Sequence, residues 1–146
     1  SVASGGKRTI CLEGDGGFAM NTQELETVRR LGLPIKFFVL DNNGYGSIRS
    51  TQKNYFDERY FASSPEGGLT LPNLGKMAQA YDLPFYKISE SKRLKEQTED
   101  ILKKDEASII RIVVSEQHIT RPRVTSRQRP DGGMETAPME KMWPEK

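Results

Sequence analysis

Apolar residues gather in four short runs along the chain, and each run has the length of a buried β-strand. The runs predict strands over residues 9–12, 35–40, 84–88 and 108–114. Polar and glycine-containing stretches separate the runs, and no apolar run approaches the roughly 20 residues that a membrane-spanning helix needs. The hydrophobic pattern therefore predicts a chain that builds a sheet rather than a membrane anchor.

Helix-period spacing of apolar residues predicts three helices between the strands, over residues 22–31, 74–81 and 91–104. Asn21 is a candidate N-cap of the first helix, Glu24 occupies the capping-box position, and Gly32 follows the last turn. The side chains expected to be buried are Leu25, Val28 and Leu31, then Leu74, Met77, Ala78 and Tyr81, and finally Leu94, Ile101 and Leu102. Strands that alternate with helices favour parallel pairing, so we predict a layered α/β domain with a parallel sheet flanked by helices.

The periodicity stops after Ser115, and the remaining residues are rich in Pro, Gly and charge. We therefore predict a domain over residues 1–115 and a C-terminal tail over residues 116–146. Four large side chains in the tail could dock on another surface, or the tail could be a partly disordered extension; they are Met134, Met139, Met142 and Trp143. At the other end, residues 1–4 look like the last turn of a helix, so the domain is expected to be truncated at its N-terminus.

The charge balance and the cysteine content narrow the class of protein. The chain of 146 residues has 22 basic and 20 acidic side chains, a balance that does not favour nucleic-acid binding. Its single cysteine, Cys11, cannot form an internal disulfide and is expected to be a buried small hydrophobe, so the cytoplasm is the simplest compartment. The basic stretch over residues 121–129 is either a solvated tail or an anion-binding arm. His118 is expected to be a surface or packing residue.

Side-chain oxygens follow the second predicted strand, in the stretch Asp41-Asn42-Asn43-Gly44-Tyr45-Gly46-Ser47-Ile48. An EF-hand calcium loop explains part of this pattern, because its positions 1, 3, 6 and 8 are matched by Asp41, Asn43, Gly46 and Ile48. However, Gln52 stands where the bidentate Glu of the loop is needed, and a strand rather than a helix precedes it. The EF-hand interpretation is therefore rejected.

A second polar loop, Glu13-Gly14-Asp15-Gly16-Gly17-Phe18, follows the first predicted strand. Loops at the carboxyl ends of parallel strands line the ligand crevice, so the two loops converge if their strands are close neighbours. Asp15 then brings a carboxylate to the oxygens of the second loop, and the glycines expose backbone N–H groups that attract phosphate. An anion beside a carboxylate needs a cation between them, and oxygen ligands favour Mg²⁺ shared with a diphosphate.

The two loops and the sequence between them resemble the C-terminal, diphosphate-binding domain of thiamine-diphosphate-dependent enzymes. The family signature is Gly-Asp-Gly followed at a set distance by an Asn-Asn pair, and this chain has Gly14-Asp15-Gly16 and then Asn42 at the matching offset. The stretch GDGGFAMNTQELETVRRLGLPIKFFVLDNNGYGSIR is similar almost throughout to acetolactate-synthase-like members, and weaker similarity continues to about Val114.

The resemblance implies a thiamine-diphosphate-binding fold and a set of site residues. It implies that Mg²⁺ is bound by the carboxylate of Asp15, the amide of Asn42 and the backbone carbonyl of Gly44. It also implies cofactor contacts from Gly14, Gly16, Gly17 and Tyr45, and places Ser47 and Ile48 close to the thiazolium and the substrate. Asp41 stands where the first Asn of the pair is usual, so Asn43 is kept as the alternative metal ligand. Gly17 stands where Ser is common.

The implied activity is decarboxylation of a 2-oxo acid, with or without carboligation to a second carbonyl compound as in acetolactate synthase. The implied partners are an N-terminal pyrimidine-binding domain, of the same or a partner chain, and further copies in a homodimer or tetramer. The catalytic residues are unknown from this chain, because the family's cofactor-activating glutamate lies in that N-terminal domain. FAD is compatible with the full-length enzyme, but the residues of this chain do not indicate whether it is bound. The alternative hypothesis is a non-catalytic α/β module that binds a phosphate or nucleotide.

Overall fold

A computed structural model of the chain describes residues 1–118 and 120–143 and contains a four-stranded, fully parallel sheet. Its strands are β1 (Thr9–Gly14), β2 (Ile35–Asp41), β3 (Phe85–Ile88) and β4 (Ser108–Val113), in the spatial order β1-β2-β4-β3. The predicted α/β class and all four strands are confirmed. Because β1 and β2 are direct neighbours, the loops that follow them leave the same edge of the sheet side by side.

Five α-helices connect or follow the strands: α1 (Asp15–Ala19), α2 (Leu25–Leu31), α3 (Gly46–Tyr55), α4 (Leu74–Ala80) and α5 (Leu94–Leu102). Short 3₁₀ turns cover Val2–Ser4, Thr22–Glu24, Ser91–Arg93 and Met139–Lys141. The sequence pattern predicts α2, α4 and α5 but not α1 or α3. Helix α1 is too short to show a period, and α3 contains no fully buried residue, so neither has an apolar stripe.

The hydrophobic core lies on both faces of the sheet. On one face, α1, α2 and α4 pack around Phe18, Leu25, Val39, Leu74, Ala78, Leu83 and Ile109. On the other face, α5 packs Ile101 against Phe38, Ile88 and Ile110. Adjacent residues such as Phe38 and Val39 belong to opposite clusters, because successive side chains of a strand point to opposite faces. Both faces are therefore covered along β2 and β4.

Several local predictions about the helices are wrong. Asn21 makes no side-chain capping bond, and Glu24 accepts from Thr27 Oγ1 (3.1 Å) rather than closing a capping box. Leu31 is 46% exposed and Leu94 is 41% exposed. Leu31 is the last residue of α2 and Leu94 the first of α5, so each has neighbours from its own helix on one side only. A 3₁₀ turn precedes each of these two helices, over Thr22–Glu24 before α2 and over Ser91–Arg93 before α5, where the α-helical period was expected to begin.

Edge strand β1 is only partly covered. Ile10 is 52% exposed and Leu12 is 65% exposed, and Cys11 is half-buried rather than fully buried as expected. By contrast, Lys36 of the neighbouring strand is fully buried, its ammonium donates to the Glu106 carbonyl, and burial lowers its pKa. None of the helices in the described part of the chain is long and apolar enough to cross a membrane.

The tail forms a small antiparallel hairpin of β5 (Ser126–Gln128) and β6 (Met134–Thr136). Tyr55 of α3 donates through its hydroxyl to the carbonyl of Ser126 (2.7 Å). An antiparallel bridge joins Arg123 to Trp143, with backbone N–H to O distances of 3.0 and 2.8 Å. The four large side chains proposed to dock remain exposed: Met134 by 49%, Met139 by 74%, and Met142 and Trp143 by 37% each. The tail contacts α3 of the same chain through polar groups instead, because the hydrogen bonds between them join Tyr55 to Ser126 and Arg123 to Ser50.

Candidate functional site

The loops after β1 and β2 meet through the carboxylate of Asp15. The last residue of β1 pairs with Leu40 in β2, so Asp15 begins α1 directly beside the end of β2. Its Oδ2 accepts the backbone N–H of Gly44 (2.9 Å), and its Oδ1 accepts the N–H of Gly16 (2.8 Å). The convergence expected from the sequence is therefore present as a direct hydrogen bond between the two loops.

Asp15 is only 6% exposed, and this environment affects its charge. Burial raises the pKa of the Asp15 carboxyl, while the N–H donors of Gly44 and Gly16 act in the opposite direction. The neighbouring carboxylate of Asp41 also raises this pKa, because two like charges in one place oppose ionisation. A buried anion next to another carboxylate is a place where a cation would be stabilised.

The backbone of the second loop follows a path that needs glycine. Asn43 has φ 61° and Gly44 has φ 146°. A Cβ on Gly44 would overlap the carbonyl oxygen of Ser63, and that same carbonyl accepts the N–H of Tyr45 (3.0 Å). The buried segment around Ser63 therefore packs directly against the loop and leaves no room for a side chain at Gly44.

Asp41 anchors the start of this loop to the sheet. Its Oδ2 pairs with Nε of Arg111 on the adjacent strand β4, and its Oδ1 accepts the N–H of Asn43 (3.0 Å). The Asp41 side chain is 13% exposed and that of Arg111 is 37% exposed, so the carboxylate is the more shielded member of the pair. The position where the family usually has the first Asn is thus occupied by an Asp that has its own cation. The negative charge of Asp41 is consequently balanced by the guanidinium of Arg111.

The two candidate amides, Asn42 and Asn43, have different surroundings. The side-chain oxygen of Asn42 is buried and has no hydrogen-bond partner among residues 1–118 and 120–143, while its backbone carbonyl accepts from Arg49 (2.7 Å). Asn43 is exposed and donates from its amide to Oε1 of Glu116 (2.9 Å). A buried oxygen without a donor is costly unless a ligand uses it. Of the two, Asn42 has the oxygen that is available to a metal.

A cavity of about 970 Å³ opens above the two loops. All nine residues proposed from the sequence line it: Gly14, Asp15, Gly16, Gly17, Asn42, Gly44, Tyr45, Ser47 and Ile48. Asn43, the alternative ligand, is not among the lining residues. The Tyr45 ring lies so close to Gly16 that a Cβ there would overlap it. The residues selected from the sequence are thus brought to one place.

Other lining residues were missed by the sequence interpretation. On α3 they are Ser50, Thr51, Asn54 and Tyr55, and in the tail they are His118, Thr120 and residues 123–126. Together with Ser47, the α3 residues recur at helical spacing and form a polar stripe, which faces the cavity instead of a core. A search for polar as well as apolar periodicity would have revealed α3. His118 is exposed, as one of its two predicted roles, a surface residue, requires. Its position at the rim of the cavity was not predicted.

The donors at the cavity floor suit a hard cation. They are the carboxylate of Asp15, the free amide oxygen of Asn42 and the backbone of Gly44, all of them oxygen ligands of the kind that Mg²⁺ prefers. No group of three His, Cys, Asp or Glu side chains within the described residues could hold a metal. A metal at this site would therefore need further oxygens from a ligand, as the phosphates of a cofactor supply.

Comparison with known proteins identifies relatives for most of the chain. Residues 1–112 match the family model "Thiamine pyrophosphate enzyme, C-terminal TPP binding domain". The acetolactate synthase large subunit of Porphyra purpurea is 32% identical over 102 residues, which cover 70% of this chain and 17% of that protein. The corresponding subunit of Cyanidium caldarium is 34% identical over 101 residues, covering 69% and 17%.

Similarity also extends into the tail. The acetolactate synthase isozyme 2 large subunit of Escherichia coli (strain K12) is 29% identical over 141 residues, covering 97% of this chain and 24% of that protein. The chain thus spans about a fifth of the length of these relatives. The parallel sheet, the two converging loops and the match over residues 1–112 agree, and the chain belongs to the family of C-terminal TPP-binding domains of thiamine pyrophosphate enzymes.

Proposed function

We propose that this chain binds the diphosphate of thiamine diphosphate through Mg²⁺, as part of an acetolactate-synthase-like enzyme that decarboxylates a 2-oxo acid. Asp15, Asn42 and Gly44 are the protein ligands of the metal. Gly14, Gly16 and Gly17 face the diphosphate, and Tyr45 packs beside the cofactor. Ser47 and Ile48 lie toward the substrate. The domain occupies residues 1–115 and is followed by a tail over residues 116–146, in which His118, Thr120 and residues 123–126 line one side of the cavity.

The observation that carries this proposal is the unpartnered, buried oxygen of Asn42 beside the buried carboxylate of Asp15. Leaving such an oxygen unpaired costs about 1–3 kcal/mol, and a metal ion recovers that cost. The Asp15 to Gly44 hydrogen bond supports the same interpretation, since it fixes both loops before any ligand arrives. Preorganisation of this kind reduces the entropic cost of binding.

When bound, thiamine diphosphate supplies the electron sink for decarboxylation, and the protein supplies binding and orientation. The chain's own contribution is to hold the diphosphate at the loops and to present the polar stripe of α3 to the rest of the cavity. A pyrimidine-binding domain of the same or a partner chain completes the site, in a cytoplasmic homodimer or tetramer. Carboligation to a 2-hydroxy-3-oxo acid is the leading reaction and simple decarboxylation the second, following the names of the acetolactate synthase relatives.

Calorimetric titration of the protein tests cofactor binding directly. We expect thiamine diphosphate to bind with Mg²⁺ present and to bind far more weakly after chelation with EDTA. Flavin mononucleotide and NAD are the matched competitors, because tighter binding of either would favour a nucleotide-binding module without this chemistry. Titration with FAD and gel filtration of the full-length gene product test the flavin and the oligomeric state.

Turnover by the full-length gene product tests the reaction. Pyruvate and longer 2-oxo acids are supplied with cofactor and Mg²⁺, while carbon dioxide release and ligated product are measured separately. Carbon dioxide release together with a ligated product supports carboligation, and carbon dioxide release without a ligated product supports simple decarboxylation. If cofactor is bound but none of the 2-oxo acids is consumed, the proposed reaction is wrong although the binding site stands.

A further inference from the structure

Arg123 reaches the cavity from the tail, and its guanidinium has few partners. It is half-buried, its Nη1 donates to Oγ of Ser50 on α3 (3.1 Å), and its Nε is buried without a hydrogen-bond partner. The indole of Trp143 lies near the guanidinium, with 5.7 Å between Cζ and the ring centroid. These contacts position the side chain without neutralising its charge.

Charge is unbalanced at this end of the cavity. No carboxylate forms an ion pair with Arg123 anywhere in residues 1–118 and 120–143, whereas Arg127 and Arg129 of the same tail each have one. Among the described residues that line the cavity, Arg123 is the single Lys or Arg. A partly buried guanidinium with unused donors is stabilised by an anion, and its planar fork is suited to a carboxylate.

The position of Arg123 separates it from the proposed diphosphate site. Asp15 and Gly44 lie where α3 is about to begin, and Gly46 is its first residue. Ser50 follows four residues later, which at 1.5 Å of rise per residue is about 6 Å along the helix axis. The cation at Arg123 therefore faces the part of the cavity beyond the loops, on the same side of α3 as the substrate-side residue Ser47.

We propose that Arg123 binds the carboxylate of the substrate, and that the tail thereby contributes a specificity-determining residue to the site. This inference rests on the proposed function for the nature of the substrate, a 2-oxo acid. The basic stretch of the tail is then an anion-binding arm at Arg123. The competing anion is the cofactor diphosphate, and binding and kinetic measurements distinguish it from the substrate carboxylate.

A direct binding test uses fluorescence, because Trp143 is the one tryptophan of the 146 residues and lies beside Arg123. Acetate is the probe, with chloride at equal ionic strength as the blank. We expect a saturable change in Trp143 emission with acetate, lost in Arg123→Gln. Arg121→Gln is the matched control, because Arg121 also lies over the indole (4.3 Å) but is exposed and does not line the cavity. Absence of a saturable change in the unmodified chain, or its survival in Arg123→Gln, overturns the proposal whatever the enzyme's activity.

Kinetics of the full-length gene product distinguish substrate from cofactor. Loss of a charge-assisted hydrogen bond corresponds to about a 10- to 100-fold change in affinity, so Arg123→Gln should raise KM for the 2-oxo acid by about that factor. We expect kcat to change little, Arg123→Lys to recover part of KM, and Mg²⁺-dependent cofactor affinity to stay as in the unmodified enzyme. Weaker cofactor binding with unchanged KM would place Arg123 on the diphosphate and refute the inference. A fall in kcat and melting temperature together, unrescued by Lys, would assign it a structural role instead.

Discussion

The two candidate side-chain ligands of the metal, Asp15 and Asn42, stand at the ends of neighbouring strands but are bonded very differently. Both oxygens of Asp15 accept backbone N–H groups, one of them from the other loop. The side-chain oxygen of Asn42 accepts from nothing in the described residues. One ligand is therefore also a structural link between the loops, and the other has no structural use for its oxygen.

The two candidate ligands therefore contribute unequally to the stability of the loops. The N–H of Gly44 would lose its acceptor without Asp15, and Gly44 is buried. Removing Asp15 should thus damage folding and binding together, whereas removing the Asn42 amide should weaken binding without a loss of stability. A buried donor that loses its partner costs about 1–3 kcal/mol, whereas deleting an acceptor that has no partner leaves no other group unpaired.

The largest expected effect is that of Asp15→Ala. We expect Mg²⁺-dependent binding of thiamine diphosphate to weaken by more than about 100-fold, because the one full charge among the proposed metal ligands is lost. We also expect the free energy of unfolding to fall by about 1–3 kcal/mol. Calorimetry and denaturant unfolding measure the two. Asp15→Asn is the matched variant: its one amide oxygen can accept from Gly44 or from Gly16 but not from both, so it should recover part of the stability but not metal binding. Equal recovery of both would contradict the division of roles.

Next in size is a pair of glycine variants in the first loop. A Cβ on Gly16 would overlap the Tyr45 ring, which joins this loop to the second, whereas a Cβ on Gly17 would meet the flexible carboxylate end of Glu13. Overpacking costs about 1–3 kcal/mol, so Gly16→Ala should destabilise the protein and weaken cofactor binding. Gly17→Ala should have a smaller effect on both stability and cofactor binding, because the Glu13 side chain can adopt another rotamer. Identical thermal shifts in the two variants would show that the Tyr45 contact is not restrictive.

Asn42→Ala should separate binding from stability. We expect Mg²⁺-dependent cofactor affinity to fall by about 10- to 100-fold. Without metal, the free energy of unfolding should stay the same or rise by up to about 1–3 kcal/mol, because the removed oxygen is buried and has no partner. The same titration and unfolding measurements apply. A clear loss of stability without a change in affinity would mean that Asn42 is a packing residue.

The smallest effect is expected for Asn43→Gly. Glycine tolerates the positive φ of this position, so the variant removes the side chain without straining the loop. It loses one exposed hydrogen bond to Glu116, worth about 0.5–1.5 kcal/mol of stability. Cofactor affinity should stay close to that of the unmodified protein. A greater loss of affinity here than in Asn42→Ala would move the metal ligand from Asn42 to Asn43.

Much of the fold could be predicted from the pattern of residues, and the omissions have a physical cause. Strands β2 and β4 are buried on both faces, so their sequences are nearly continuous apolar runs, each interrupted by one basic residue, Lys36 or Arg111. Helix α3 was not predicted because it lines the cavity with polar side chains and buries none of its side chains fully. Leu31 and Leu94 show the reverse error, since apolar character at a helical period does not reveal whether a partner surface is present.

The α/β class and the two polar loops followed from the pattern of residues, because they depend on local composition and on the rule that parallel strands end at one edge. The individual site residues were implied by the resemblance to thiamine-diphosphate-dependent enzymes. The surroundings of the two asparagines emerged only in the tertiary structure: the side-chain oxygen of Asn42 is buried without a partner at the cavity, whereas Asn43 is exposed and its amide nitrogen donates to Glu116, which is remote in sequence. The tertiary structure also decided that Arg123 faces the cavity. Contacts between distant residues set the surroundings of each polar atom, and no local pattern of residues contains that information.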